Sequence, residues 1–214
     1  TAASASVCSG TGTNIQVASS DNGISYQLRN NATNANVGSP VTGTGGTINL
    51  PTGNLTATTT YNVYATGSSC SYQLTNTATV TVNPLPTDKT PTAVASTVCS
   101  GSSTNIQIAT SQSGVNYQLR NDATNVAVGS AVAGTGGTIN LPTGTLTSTT
   151  TFNVLATNAT TGCNVQMNST VTVTINALPT DKTPTAVASS VCSGSGTNIQ
   201  IASSQSGVNY QLRN

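Results

Sequence analysis

The side chains of this chain best suited to chemistry are its five cysteines. Three stand in one recurring setting: Val7-Cys8-Ser9-Gly10, Val98-Cys99-Ser100-Gly101 and Val191-Cys192-Ser193-Gly194. The other two, Cys70 and Cys163, fall between them. A cysteine acts as a nucleophile when a base activates it, and as a metal ligand when other Cys or His residues cluster with it. The 214 residues contain no His and no Glu, and both lysines, Lys89 and Lys182, lie in proline-flanked linkers. The many Ser and Thr hydroxyls thus lack an activator, and the chain is not expected to be an enzyme or to carry a cofactor. Successive cysteines are 62, 29, 64 and 29 residues apart, without the short spacings of a zinc site. The four aspartates are isolated, so a calcium loop is not expected and the melting temperature should be indifferent to chelator. The chemistry left to the cysteines is the disulfide.

Other motifs reduce to structure. Gly43-Thr44-Gly45-Gly46 and Gly134-Thr135-Gly136-Gly137 lack the Lys-Ser/Thr of a phosphate loop and read as turns needing positive φ. Asn31, Asn54, Asn158 and Asn168 match the glycosylation pattern by chance in a chain rich in Asn and Thr. Rows such as Thr77, Thr79 and Thr81 have the spacing of an ice-binding face, but Thr is also a good residue for the solvent face of a strand. Arg29, Arg120 and Arg213 each close the same motif, YQLRN, and are expected to bond carbonyls of the adjacent turn.

The elements that must position the cysteines come in repeats. Segments 91–121 and 184–214 agree at 28 of 31 positions, and residues 1–30 are a more diverged copy. The period is 91 residues from Cys8 to Cys99 and 93 from Cys99 to Cys192, the size of one β-sandwich. The expected units are repeat 1 at 1–90, repeat 2 at 91–183 and the first part of repeat 3 at 184–214. That last part carries three expected strands, too few to bury a core. Apolar residues alternate with polar ones: Ile24, Tyr26, Leu28; Ile48, Leu50; Tyr61, Val63, Ala65; Ala78, Val80, Val82. The fold class is therefore all-β, with about seven strands per repeat in two facing sheets.

Charged residues make up only 4% of the chain, net charge is +1, and no basic patch exists, so neither nucleic acid nor an anionic membrane is an expected partner. No apolar run approaches the ~18 residues of a membrane span. The chain does not begin with Met, and it reads as a window on a longer exported protein.

Leu55-Thr-Ala-Thr-Thr-Thr-Tyr61-Asn-Val-Tyr-Ala65 resembles the corner and following strand of immunoglobulin-like and fibronectin type III domains. The resemblance implies that Leu55 and Tyr61, with Leu146 and Phe152 in repeat 2, form a buried corner. It also implies that the Tyr61 hydroxyl bonds back to the corner backbone, which Phe152 cannot do. The whole repeat, from VCSG through YQLRN, GTGGTINLP, TTYNVYAT and TVTV to a proline-rich linker, resembles tandem Ig-like repeats of giant bacterial surface adhesins. Those are of the Bacteroidota type and include gliding-motility and type IX-secreted adhesins.

The resemblance implies end-to-end sandwiches in an elongated rod on the bacterial cell surface. It implies a structural stalk that extends a distal binding region, for surface attachment or gliding. The expected partners are neighbouring repeats of the same chain, with lateral self-association or cell-surface machinery beyond them. A glycan- or surface-binding module using exposed loops is the alternative. Two cysteine pairings follow. Simple pairing within repeats gives Cys8–Cys70 and Cys99–Cys163. Ig-like topology puts those loops at opposite ends and favours Cys8–Cys163 across the joint, with Cys70, Cys99 and Cys192 bonded to repeats outside the sequence.

Overall fold

The computed structural model describes residues 1–213, so Asn214, the last residue of the segment expected to begin repeat 3, lies outside the described residues. The chain is all-β. The first unit contains β1 (Ser6–Cys8), β2 (Asn14–Val17), β3 (Ser25–Asn30), β4 (Asn36–Thr42), β5 (Ile48–Pro51), β6 (Thr59–Thr66), β7 (Ser71–Gln73) and β8 (Ala78–Asn83). One sheet has the order β1-β8-β6-β3-β4, with β7 also on β6, and the other pairs β2 with β5. Ala2 bridges Ile15, so the residues just before β1 belong to the second sheet.

The second unit repeats this plan. It comprises β9 (Pro91–Ala93), β10 (Thr97–Cys99), β11 (Asn105–Ile108), β12 (Val115–Asn121), β13 (Val132–Ala133), β14 (Ile139–Pro142), β15 (Thr150–Asn158), β16 (Asn164–Gln166) and β17 (Val171–Asn176). Its sheets run β10-β17-β15-β12-β13 and β14-β11-β9. In both units the first strand divides between the sheets and its later half, β1 or β10, pairs in parallel with the last strand. The last strand is itself broken in two along β6 or β15. Counted as ribbons, seven remain, arranged as an immunoglobulin-like sandwich.

Period-two alternation builds each core. Ile15, Tyr26, Leu28, Leu50, Val63 and Val80 are buried in the first, and Ile106, Tyr117, Leu119, Leu141, Val154 and Val173 in the second. Leu55, Tyr61, Leu146 and Phe152 are also buried. No hydrogen bond joins the Tyr61 hydroxyl to the corner backbone among the described residues, which corrects that expectation. Burial raises the Tyr61 pKa above its ordinary value, with Thr59 opposing.

The hydroxyl that does fasten a turn belongs to the tyrosine of YQLRN. Tyr26 accepts from the Asp21 N–H at 2.9 Å and Tyr117 from the Gln112 N–H at 2.8 Å. Gly134 follows from the same packing. A Cβ there would strike the Gln112 carbonyl and the Tyr117 ring, while Gly136 two residues on has φ +88°. Tyr117→Phe strips a part-buried N–H of its acceptor and is expected to cost about 1–2 kcal/mol, read as a lowered melting temperature for the second unit only.

Beyond β17 the expected three strands reduce to two, β18 (Pro184–Ala186) and β19 (Ile199–Ile201). The stretch at 208–213, whose counterpart β12 pairs with β15 and β13, has no such neighbours and forms no strand. Val187, Val191, Ile199, Tyr210 and Leu212 are consequently exposed.

Candidate functional site

The VCSG motif ends a strand and makes a turn. Val7 packs against the first core. Cys8 lies opposite Asn83, the last residue of β8. The Ser9 N–H then donates to the Asn83 carbonyl, and Gly10, at φ +86°, donates to the Leu55 carbonyl. Ser100 and Gly101 make the same two bonds to Asn176 and Leu146. The motif therefore fixes a cysteine at the end of the unit where the chain leaves it.

Cys70 and Cys163 lie at the other end. Each directly precedes the strand that opens the broken last ribbon, β7 or β16. From the Thr66–Ser71 pair to the Thr59–Val80 pair and on to Asn83 is about 30 Å of strand. A disulfide needs Cα atoms about 4.4–6.8 Å apart, so the within-repeat pairs Cys8–Cys70 and Cys99–Cys163 do not form. The structure instead joins Cys8 to Cys163, with Cα atoms 5.5 Å apart and 155 residues of sequence between them. Cys163 is buried, whereas Cys70, Cys99 and Cys192 are exposed free thiols.

The linker between the units is docked. The Thr87 N–H and hydroxyl both donate to Gln112 Oε1, at 3.0 and 2.6 Å. The Asp88 carboxylate accepts from the Asn168 N–H at 3.1 Å and from its Nδ2–H at 2.7 Å. The Lys89 N–H meets Met167 Sδ at 3.0 Å, and Pro91 is buried opposite Ile108. The next linker repeats the first contact: the Thr180 N–H and hydroxyl donate to Gln205 Oε1, at 2.9 and 3.0 Å. Sequence reasoning read these segments only as proline-rich linkers. The available signal was the duplicate Pro-Thr-Asp-Lys-Thr-Pro, each followed by an Ile-Ala-(Thr/Ser)-Ser-Gln segment.

The arginines depart from expectation, because side-chain oxygens hold them rather than turn carbonyls. In the second unit Arg120 Nε donates to Asn153 Oδ1 at 3.0 Å and Nη2 to Gln166 Oε1 at 2.6 Å. In the first, Arg29 turns outward. Its Nε donates to Asn36 Oδ1 at 3.1 Å and its guanidinium lies 3.8 Å over the Tyr64 ring. Asn62 Oδ1, the counterpart of the Arg120 acceptor, is left buried without a partner. The second unit has Leu155 and Ala127 in place of Tyr64 and Asn36, so nothing draws Arg120 outward.

Tyr64→Leu with Asn36→Ala should therefore turn Arg29 inward onto Asn62. Loss of about 0.5–1 kcal/mol of cation–π attraction is set against satisfaction of a buried oxygen worth about 1–3 kcal/mol. The double variant is expected to be more stable by about 1 kcal/mol, with a shifted Arg29 Nε–H resonance as the direct readout.

Among the described residues no group of three or more His, Cys, Asp or Glu is placed to hold a metal. Among the described residues no helix is long and apolar enough to cross a membrane. No family model matches the chain, and no curated protein matches it by sequence. Among solved structures it is similar to one chain of the crystal structure of a mouse coronavirus receptor-binding domain complexed with its murine receptor, at 14% identity and TM-score 0.41, covering 82% of this chain and 98% of that one. Murine CEACAM1b is similar at 14% identity and TM-score 0.38, with 83% and 98% covered. The FN1–FN3 domains of chicken CNTN1 are similar at 14% identity and TM-score 0.37, with 81% and 63% covered.

Proposed function

We propose that these are stalk repeats of a large extracellular bacterial adhesin or surface filament, holding a distal binding region away from the cell for attachment or gliding. The observation that carries this reading is the Cys8–Cys163 disulfide, which runs from the exit end of one sandwich to the entry end of the next. It acts with the docked Thr87-Asp88 linker to restrain the joint from two sides. A hinge would serve a module that must adapt to a ligand; a restrained joint serves reach. Near-identical segments at 91–121 and 184–214 suit the same end, since repetition adds length. Disulfides persist in oxidising compartments, which accords with an extracellular site. On this reading the neighbouring repeats are the principal partners, and no enzyme activity or cofactor is involved.

Small-angle scattering on the 214-residue chain tests the reading. The oxidised protein should give one narrow distribution of unit separations, and the Cys8→Ser variant a broader one. Equal breadth in both would remove the basis for a stiff stalk.

A specific observation also supports glycan or surface binding as a second reading. Arg29 keeps its Nη groups free of protein partners among the described residues while stacked on Tyr64. A free guanidinium fork suits a carboxylate-bearing sugar. Glycan-array binding that is lost in Arg29→Ala would favour that reading, and no binding would leave the stalk.

A further inference from the structure

The entry end of the first unit has positions matching those that the linker occupies on the second. On the second unit the groove consists of Gln112, which receives Thr87; Met167 and Asn168, which receive Lys89 and Asp88; and Ile108, opposite buried Pro91. The matching positions of the first unit are Asp21, Leu74, Thr75 and Val17. Two cavities lie there. One, of about 460 Å³, is lined by Val17, Tyr61, Val63 and Leu74. The other, of about 290 Å³, is lined by Asp21, Ile24, Cys70 and Tyr72.

We propose that this end of the first unit receives a Pro-Thr-Asp-Lys-Thr-Pro segment arriving from another unit of the same kind, and so forms a joint like that between the two units described. The inference rests on the stalk reading but adds a specific docking surface to it. The chemistry carries over position by position. Asp21 offers a carboxylate oxygen where Gln112 offers an amide oxygen, so the Thr N–H and hydroxyl meet a charged acceptor, which strengthens such bonds. Thr75 supplies an N–H and a hydroxyl to the incoming Asp, in place of the N–H and Nδ2–H of Asn168. The larger cavity accepts the final Pro, as the second unit buries Pro91 against β11. Leu74 cannot accept the Lys N–H as Met167 does, so that one contact is lost. Cys70 stands at the rim of the smaller cavity, in the sequence position that Cys163 occupies at the formed joint. Docking thereby brings the VCSG cysteine of the arriving unit to Cys70.

The test appends Pro-Leu-Pro-Thr-Asp-Lys-Thr-Pro directly before Thr1 of the whole chain, beside a version with the same eight residues scrambled. Hydrogen exchange at the Thr75 amide, which would donate to the arriving Asp, and the melting temperature of the first unit are measured. The native segment is expected to slow exchange at that amide at least tenfold and to raise the melting temperature. Asp21→Ala should abolish most of that gain while leaving the unextended chain unchanged. Equal protection by the scrambled segment, no protection by the native one, or protection that survives Asp21→Ala would each overturn the proposal. None of these outcomes bears on the stalk reading, whose scattering test uses the unextended chain and the Cys8–Cys163 bond alone.

Discussion

Pulled from its two ends, the oxidised chain is expected to extend far less than the reduced one, by roughly 510–560 Å of contour. The reason is the load path. Force entering at Thr1 runs along β1 to Cys8, crosses to Cys163, and continues through β16 and β17 to the C-terminus. The disulfide spans 155 residues of sequence, and that whole loop lies outside the covalent path, so unfolding both sandwiches cannot release it. At about 3.3–3.6 Å per extended residue the hidden length is the figure given. Stability should change as well. In the chain-entropy account a loop of this size contributes up to about 5 kcal/mol, and less where only one unit unfolds and the other holds the bridge. Single-molecule extension with and without reductant, and with Cys8→Ser, is the measurement. Equal contour lengths would show that Cys8 and Cys163 are not bonded in the protein.

Much of this was legible in the sequence, for a physical reason. Alternation of Tyr26 and Leu28 with Gln27 and Arg29 records which face of a strand meets the core, and the repeat period records where one sandwich ends. Opposite-end topology then made Cys8–Cys163 a sensible expectation without any contact being visible. Pairings that depend on cross-strand neighbours were not legible. Arg29 and Arg120 sit in the identical motif YQLRN, yet Tyr64 or Leu155 on the adjoining strand decides where each points. Nor did alternation mark the division of the first strand between two sheets, because three-residue pieces such as β1 and β9 are shorter than any readable period. The missing strand after Val208 has the same origin: YQLRN is extended only where β6 or β15 supplies its ladder.

The buried asparagine of the sixth ribbon should show how far such partners matter. Asn153 is fully buried, and its Nδ2–H₂ donates to Asp122 Oδ1 at 2.9 Å and Asn125 Oδ1 at 3.0 Å while its Oδ1 accepts from Arg120. Two of these three partners are ionised, and charge-assisted bonds are worth roughly twice neutral ones. Asn153→Ala leaves all three unpaired at once and is expected to destabilise the second unit by about 3 kcal/mol, a fall in melting temperature of more than about 10 °C. The corresponding change in the first unit should cost less. Asn62 donates only to the neutral Asn31 and Asn34 oxygens, at 3.2 and 3.1 Å, and its own oxygen is already unpartnered. Asn62→Ala removes that unsatisfied atom along with two modest bonds, so about 1 kcal/mol is expected. Calorimetry on the two single variants separates the cases. Equal losses would mean that Arg120 and Asp122 add nothing through Asn153, and that the two units are held by their shared apolar packing alone.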